Sequence, residues 1–168
     1  MSVNIQFYQL LTTPLDRALP KLLEKAAGSG FRTLLTASGP EQAEYLNQLL
    51  WTFDPASFLP HGVAGEGHEA LQPVLISTEE AALNEAKLLV VTDGRMAQSP
   101  ENYERIADIF DGRDATSLEA ARLRWSQYKE KGFSMTYLRQ TDNGGWDKKA
   151  GGQGAGGGVK PSDSGTAM

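Results

Sequence analysis

Short runs of apolar, strand-forming residues separated by stretches of helical periodicity constrain this chain more than any other feature. VNIQFYQL, residues 3–10, alternates and is rich in β-formers. Behind Pro14, which suits the first turn of a helix, Leu15, Leu19, Leu22, Leu23 and Ala26 recur at helical spacing. Gly28 and Gly30 end that helix. FRTLLTA, residues 31–37, reads as a buried strand, and Ser38 with Glu41 three positions on is a capping-box signature for the next helix. Ala43, Leu46, Leu49 and Leu50 share one face of it, which runs to about 51–54, before Pro55. The order β-α-β-α specifies an α/β layered fold with a mainly parallel sheet.

The pattern continues less regularly. Residues 55–72 read as a long irregular segment, VLIS at 74–77 as a third strand, 79–85 as a short helix and LLVVTD at 88–93 as the clearest buried strand. Tyr103, Ile106, Ala107 and Phe110 suit one helix face, and 118–131 a second helix. FSMTYLR at 133–139 alternates like a last strand at a sheet edge. Composition changes at 142: half of the chain's glycines fall between 144 and 168, with few apolar residues to offset chain entropy. The expected organisation is one domain over 1–141 and a glycine-rich, disordered tail over 142–168.

Composition narrows the function classes. The chain has 168 residues and no cysteine, which excludes disulfides and thiolate metal sites. No apolar run reaches the ~20 residues of a membrane span, and the N-terminus lacks a basic region and cleavage pattern, so a cytoplasmic location is expected. A net charge of −5 disfavours direct DNA binding unless the cations are locally concentrated.

Candidate chemistry is sparse. The glycines of GVAGEGHE, at 62, 65 and 67, could turn backbone N–H groups toward a phosphate. Their spacing matches neither nucleotide-binding fingerprint, and a surface loop with tight turns is the simpler reading. His61 and His68, with Glu66 and Glu69, form no recognisable metal site. Ser38 is better explained as a helix cap than as a nucleophile. No catalytic residue, metal or cofactor is assigned.

Two clusters suit protein binding better. LLWTFDPASFLPHG, 49–62, crowds Trp51, Phe53, Phe58 and Leu59 around Pro55 and Pro60. Such residues serve either as interface anchors or as a plug for the end of the core. Between 122 and 139 lie Arg122, Arg124, Lys129, Lys131 and Arg139, with Glu130 the only acid. Helical spacing sets Arg122 beside Trp125 and Arg124 beside Tyr128. That combination suits an acidic peptide with an aromatic end, or single-stranded nucleic acid; the alternative is a solvated helix face with its aromatics turned inward.

Three segments, IQFYQL, W-x-F-x-P-x-x-F-L-P-H-x-x-A-G-E-G (51–67) and R-x-R-W-x-x-Y-K-x-x-G-F (122–133), together resemble the chi subunit family of the bacterial DNA polymerase III holoenzyme. The similarity covers roughly residues 1–140. It implies a Rossmann-like, three-layer α/β domain that performs no reaction of its own. It also implies binding to the acidic C-terminal tail of single-stranded DNA-binding protein (SSB), and to the psi subunit or a helicase-like alternative partner, with DNA met only indirectly and no membrane involved. The tail site would comprise Arg122 and Trp125, with Arg124 and Tyr128 as neighbours. The partner surface would comprise Trp51 and Phe58, with Pro60 and His61 beside them. Leu118 stands where better-known members carry lysine, and Tyr137 near where they carry threonine; this implies either a weaker tail site or substitution of the missing charge by Arg113 or Arg139. The competing reading is an unrelated α/β nucleotide-binding enzyme using the Gly62 to Gly67 loop.

Overall fold

The computed structural model describes residues 3–81 and 83–153. Its elements are β1 (Asn4–Leu10), α1 (Leu15–Gly28), β2 (Thr33–Thr36), α2 (Pro40–Thr52), β3 (His61–Val63), β4 (Val74–Ser77), β5 (Leu88–Val91), β6 (Arg105–Asp111), α3 (Ala115–Glu130), β7 (Ser134–Gln140) and β8 (Trp146–Gln153). The strands form one eight-stranded sheet in the order β3-β4-β2-β5-β6-β1-β7-β8. All pairings are parallel except that of β7 with β8.

The sheet is buried on both faces, as a parallel sheet requires. Leu19, Leu23 and Leu46 of α1 and α2 pack on Leu35, Ile76 and Val90 of one face. Ala121 and Tyr128 of α3 pack on Phe7, Leu34, Leu89 and Ile106 of the other. The result is the three-layer α/β domain expected.

Several local readings are corrected. Tyr103, Ile106, Ala107 and Phe110 belong to strand β6 and its approach, not to a helix. Their i, i+3, i+4, i+7 spacing coincides with a strand apolar on both faces, where periodicity does not discriminate. No helix forms at 79–81 or 83–85. Asn84 is buried and donates to the carbonyls of Thr33 (3.0 Å) and Gln72 (2.9 Å), while Glu80 accepts from the Gln98 and Ser99 N–H groups. These long-range bonds take the polar groups a local helix would need. The 55–72 segment contains the short edge strand β3. α2 is capped differently from the signature: Gly39 is the N-cap, and Gln42, not Glu41, reaches back to the Ser38 N–H (2.6 Å).

The C-terminal boundary also moves. The chain does not leave the sheet at 142: a turn with Gly144 at φ 86 leads into β8, which pairs antiparallel with β7. β7 is therefore interior, between β1 and β8, and Trp146 packs edge-on against Tyr8 (5.1 Å). The remainder of the expected tail, 154–168, lies outside the described residues.

Candidate functional site

α3 lies over the sheet where β6, β1 and β7 are adjacent, and this positions the basic and aromatic residues of its sequence. The four residues expected at one surface separate by depth. Arg124 is buried, and its guanidinium forks onto Asp108 of β6, Nε to Oδ2 at 2.7 Å and Nη2 to Oδ1 at 2.9 Å. Burial raises the Asp108 pKa, and the Arg124 fork opposes that shift. Tyr128 is also buried, its oxygen accepting the Ala97 N–H at 2.8 Å. These two side chains fasten α3 to the sheet; neither is presented to solvent.

Arg122 and Trp125 do reach the surface. Trp125 is half-buried and meets Phe7 of β1 and Tyr137 of β7 edge-on, at 5.4 and 5.5 Å. Tyr137 meets Phe110 of β6 at 6.3 Å and donates its hydroxyl to Gln9 Oε1 at 2.8 Å. Leu118 and Phe133 pack against the same cluster. The outcome is an aromatic floor, half-open to solvent. Arg122 is mostly exposed and pairs with Glu119 at 3.8 Å, and Arg139 is exposed on the same strand face as Tyr137. Burial raises the Tyr137 pKa, and the charges of Arg122 and Arg139 oppose that shift. Arg113 is instead paired to Asp111 (3.4 Å) at the mouth of a neighbouring crevice.

Phe110 and Gln9 were not legible as site residues, because they come from strands distant in sequence. Tyr137 and Arg139 carried a usable signal: two positions apart on a strand, they share a face. Chemically, this surface offers two guanidinium groups for a carboxylate and a ring-sized apolar floor beside them.

The second cluster divides in the same way. Trp51 at the end of α2 is 51% exposed and Phe58 in the following loop 72% exposed, with ring centroids 6.1 Å apart. Paired aromatic rings this open to water are uncommon on a domain surface. Beneath them, Leu59 is core and Phe53 packs against it. His61 is buried under Trp51 (4.4 Å), with ring nitrogens facing the carbonyls of Leu59 (2.7 Å) and Asn47 (3.2 Å). His61 thus lies beneath Trp51 and supports its ring; Pro60 is half-buried.

The Gly62 to Gly67 loop is filled by its own carboxylates. Glu69 accepts the Gly65 N–H (2.8 Å) and Glu66 the Val63 N–H (3.1 Å); the first bond lowers the Glu69 pKa. A Cβ on Gly62 would press on the Gln72 side chain. Amides already holding carboxylates do not present a cradle for phosphate. Among the described residues, no group of three or more His, Cys, Asp or Glu could hold a metal ion.

A crevice of ≈ 440 Å³ does lie beyond the carboxyl ends of β1, β5 and β6, where open α/β sheets bind ligands. It is lined by Asp93, Asp111, Arg113 and Arg124, each engaged in an ion pair.

Fold and surfaces together define a Rossmann-like α/β domain with exposed aromatic rings at Trp51 and Phe58 and a half-open aromatic floor at Trp125 and Tyr137. A profile described as DNA polymerase III chi subunit, HolC, matches residues 2–136. The chain belongs to this family, an accessory and non-catalytic part of a DNA polymerase assembly. The DNA polymerase III subunit chi of Pseudomonas aeruginosa is 30% identical over 115 residues, 68% of this chain and 79% of that protein. That of Haemophilus influenzae is 26% identical over 140 residues, 81% of this chain and 96% of that protein. The probable subunit chi of Rickettsia prowazekii is 35% identical over 75 residues, 45% of this chain. That last match spans 46% of the Rickettsia protein's length.

Proposed function

We propose that this protein is a cytoplasmic tether within a DNA polymerase III assembly, holding the acidic C-terminal tail of SSB on one surface and a second subunit on another. Arg122 and Arg139, flanking the Trp125–Tyr137 floor, carry this reading. The guanidinium groups receive the tail's terminal carboxylate, and the floor receives its last phenylalanine ring. Arg139 supplies the charge that Leu118 lacks.

The layout supports a bridging role. Trp51 and Phe58 sit beside β3, while Arg139 is on β7. Six strand spacings separate those strands, on the order of 29 Å at about 4.8 Å each. Two partners could therefore bind without meeting. The second partner would be the psi subunit, or a helicase-like protein using the same rings.

The test is calorimetric titration with a synthetic SSB tail peptide and with the same peptide lacking phenylalanine. Binding that requires the ring and weakens with salt is expected. Equal binding of both peptides, or none at low salt, would reject the assignment.

A further inference from the structure

α1 carries two acidic and three basic side chains. The carboxylates of Asp16 and Glu24 accept the hydroxyls of Tyr45 and Ser57, toward α2 and the loop that follows it. Arg17, Lys21 and Lys25, spaced four residues apart, form a row toward the turn between β7 and β8; Glu24 lies beside that row at helical spacing, with its carboxylate engaged by Ser57. All three are exposed, and among the described residues none forms an ion pair. They line a cleft of ≈ 360 Å³ with Thr13, Asn143 and Trp146.

Strand alternation adds to the charge. Lys148 opposes Leu138, whose side chain belongs to the core beneath α1, so Lys148 is on the same sheet face as Trp146. Asp147, on the opposite face, pairs with Lys149 at 3.6 Å. The exposed Asp142 in the turn is the nearest remaining acid in sequence. A chain of net charge −5 thus concentrates cations around one half-exposed tryptophan.

We propose that this cleft binds single-stranded DNA directly, with phosphates along Arg17, Lys21 and Lys25 and a base against Trp146. A row of cations beside an aromatic ring is the arrangement that tracks a single strand while stacking its bases. Each step of the row rises about 6 Å along the helix axis, the scale of one nucleotide of an extended strand. A duplex turns its bases inward and would leave the tryptophan unused. An acidic peptide would use the cations alone. The cleft is separate from the surfaces assigned to SSB and to the second subunit, so the inference does not rest on either.

The test uses the full-length protein and a fluorescent oligothymidylate, followed by anisotropy across a salt series. Salt-sensitive binding is expected, with a log–log slope of about −2, from roughly 0.7 per phosphate contact on a single strand. The Trp146 indole N–H resonance should shift on binding. The triple variant Arg17→Glu/Lys21→Glu/Lys25→Glu should bind about tenfold or more weakly. An unchanged circular dichroism spectrum and thermal midpoint would show that the variant is folded. Arg122→Ala should leave oligothymidylate binding intact. No binding at low salt, or equal binding by the triple variant, overturns the proposal. Equal affinity for polyglutamate without a Trp146 shift also overturns it, in favour of an acidic protein partner.

Discussion

Replacing Arg124 by methionine tests whether this residue fastens α3 or takes part in recognition. Asp108, its partner, is 1% exposed and held through two hydrogen bonds. Methionine keeps much of the aliphatic stem but leaves a buried carboxylate without its counter-charge. Breaking one side of a buried pair costs about 3–5 kcal/mol, a large part of the roughly 5–15 kcal/mol that stabilises a domain. With a urea m-value of about 2 kcal/mol/M, the unfolding midpoint should fall by about 2 M. The sign with pH follows from Asp108. Its folded pKa is raised by burial and pulled back by Arg124, so removing Arg124 raises it further. The unfolded chain then loses the proton before the folded one as pH rises. The variant's deficit is fully present above the raised folded pKa and shrinks as pH falls through it toward the ordinary carboxylate range. Adding Asp108→Leu should restore most of the loss, since two apolar groups leave no charge to desolvate. Equilibrium unfolding by fluorescence at mildly acidic and mildly alkaline pH measures all of this. A loss under about 1 kcal/mol, with SSB-peptide binding abolished, would refute the fastening role and return Arg124 to the recognition surface.

Other substitutions separate surface from support. Arg122→Ala with Arg139→Ala should change stability by no more than about 0.5 kcal/mol and weaken tail-peptide binding by about 10- to 100-fold, measured by calorimetry. Phe58→Ser should leave the thermal midpoint nearly unchanged and abolish co-elution with the second subunit on a sizing column, because the ring is 72% exposed. Gly112→Ala should destabilise by about 1–3 kcal/mol in urea unfolding: its Cβ would meet the Gln9 side chain and lie 2.8 Å from the Leu10 carbonyl. Because Gln9 accepts the Tyr137 hydroxyl, that variant should also loosen the aromatic floor and weaken peptide binding.

Legibility in the sequence depended on how local the deciding interaction was. β1, β4 and β5 are short apolar runs bounded by polar residues, and each was readable where it occurs. α3 was readable from its polar-to-apolar spacing, and the adjacency of Arg122 and Trp125 followed from helix geometry. β6 was not, because the buried residues of the strand and its approach also fall at helical spacing, and the carboxylate it buries, Asp108, depends on Arg124, sixteen residues later. β8 was hidden for a different reason. Its glycines and lysines resemble a linker, yet its backbone completes the ladder of β7 and its tryptophan covers Tyr8. Composition sees neither. The depth of side chains within a cluster was equally invisible: Arg124, Tyr128 and His61 share motifs with exposed neighbours, and only the packing shows that they support them.

The chain's three tryptophans fall on three different surfaces, Trp51 beside Phe58, Trp125 in the α3 floor and Trp146 in the α1 cleft. The most direct measurement is therefore the set of three indole N–H resonances during titration with the phenylalanine-ended SSB tail peptide. The expected result is a saturating shift of Trp125, with Trp51 and Trp146 unmoved, and its loss in Arg122→Ala/Arg139→Ala. A shift confined to Trp51 or Trp146 would contradict the account and move the tail to another face of the protein.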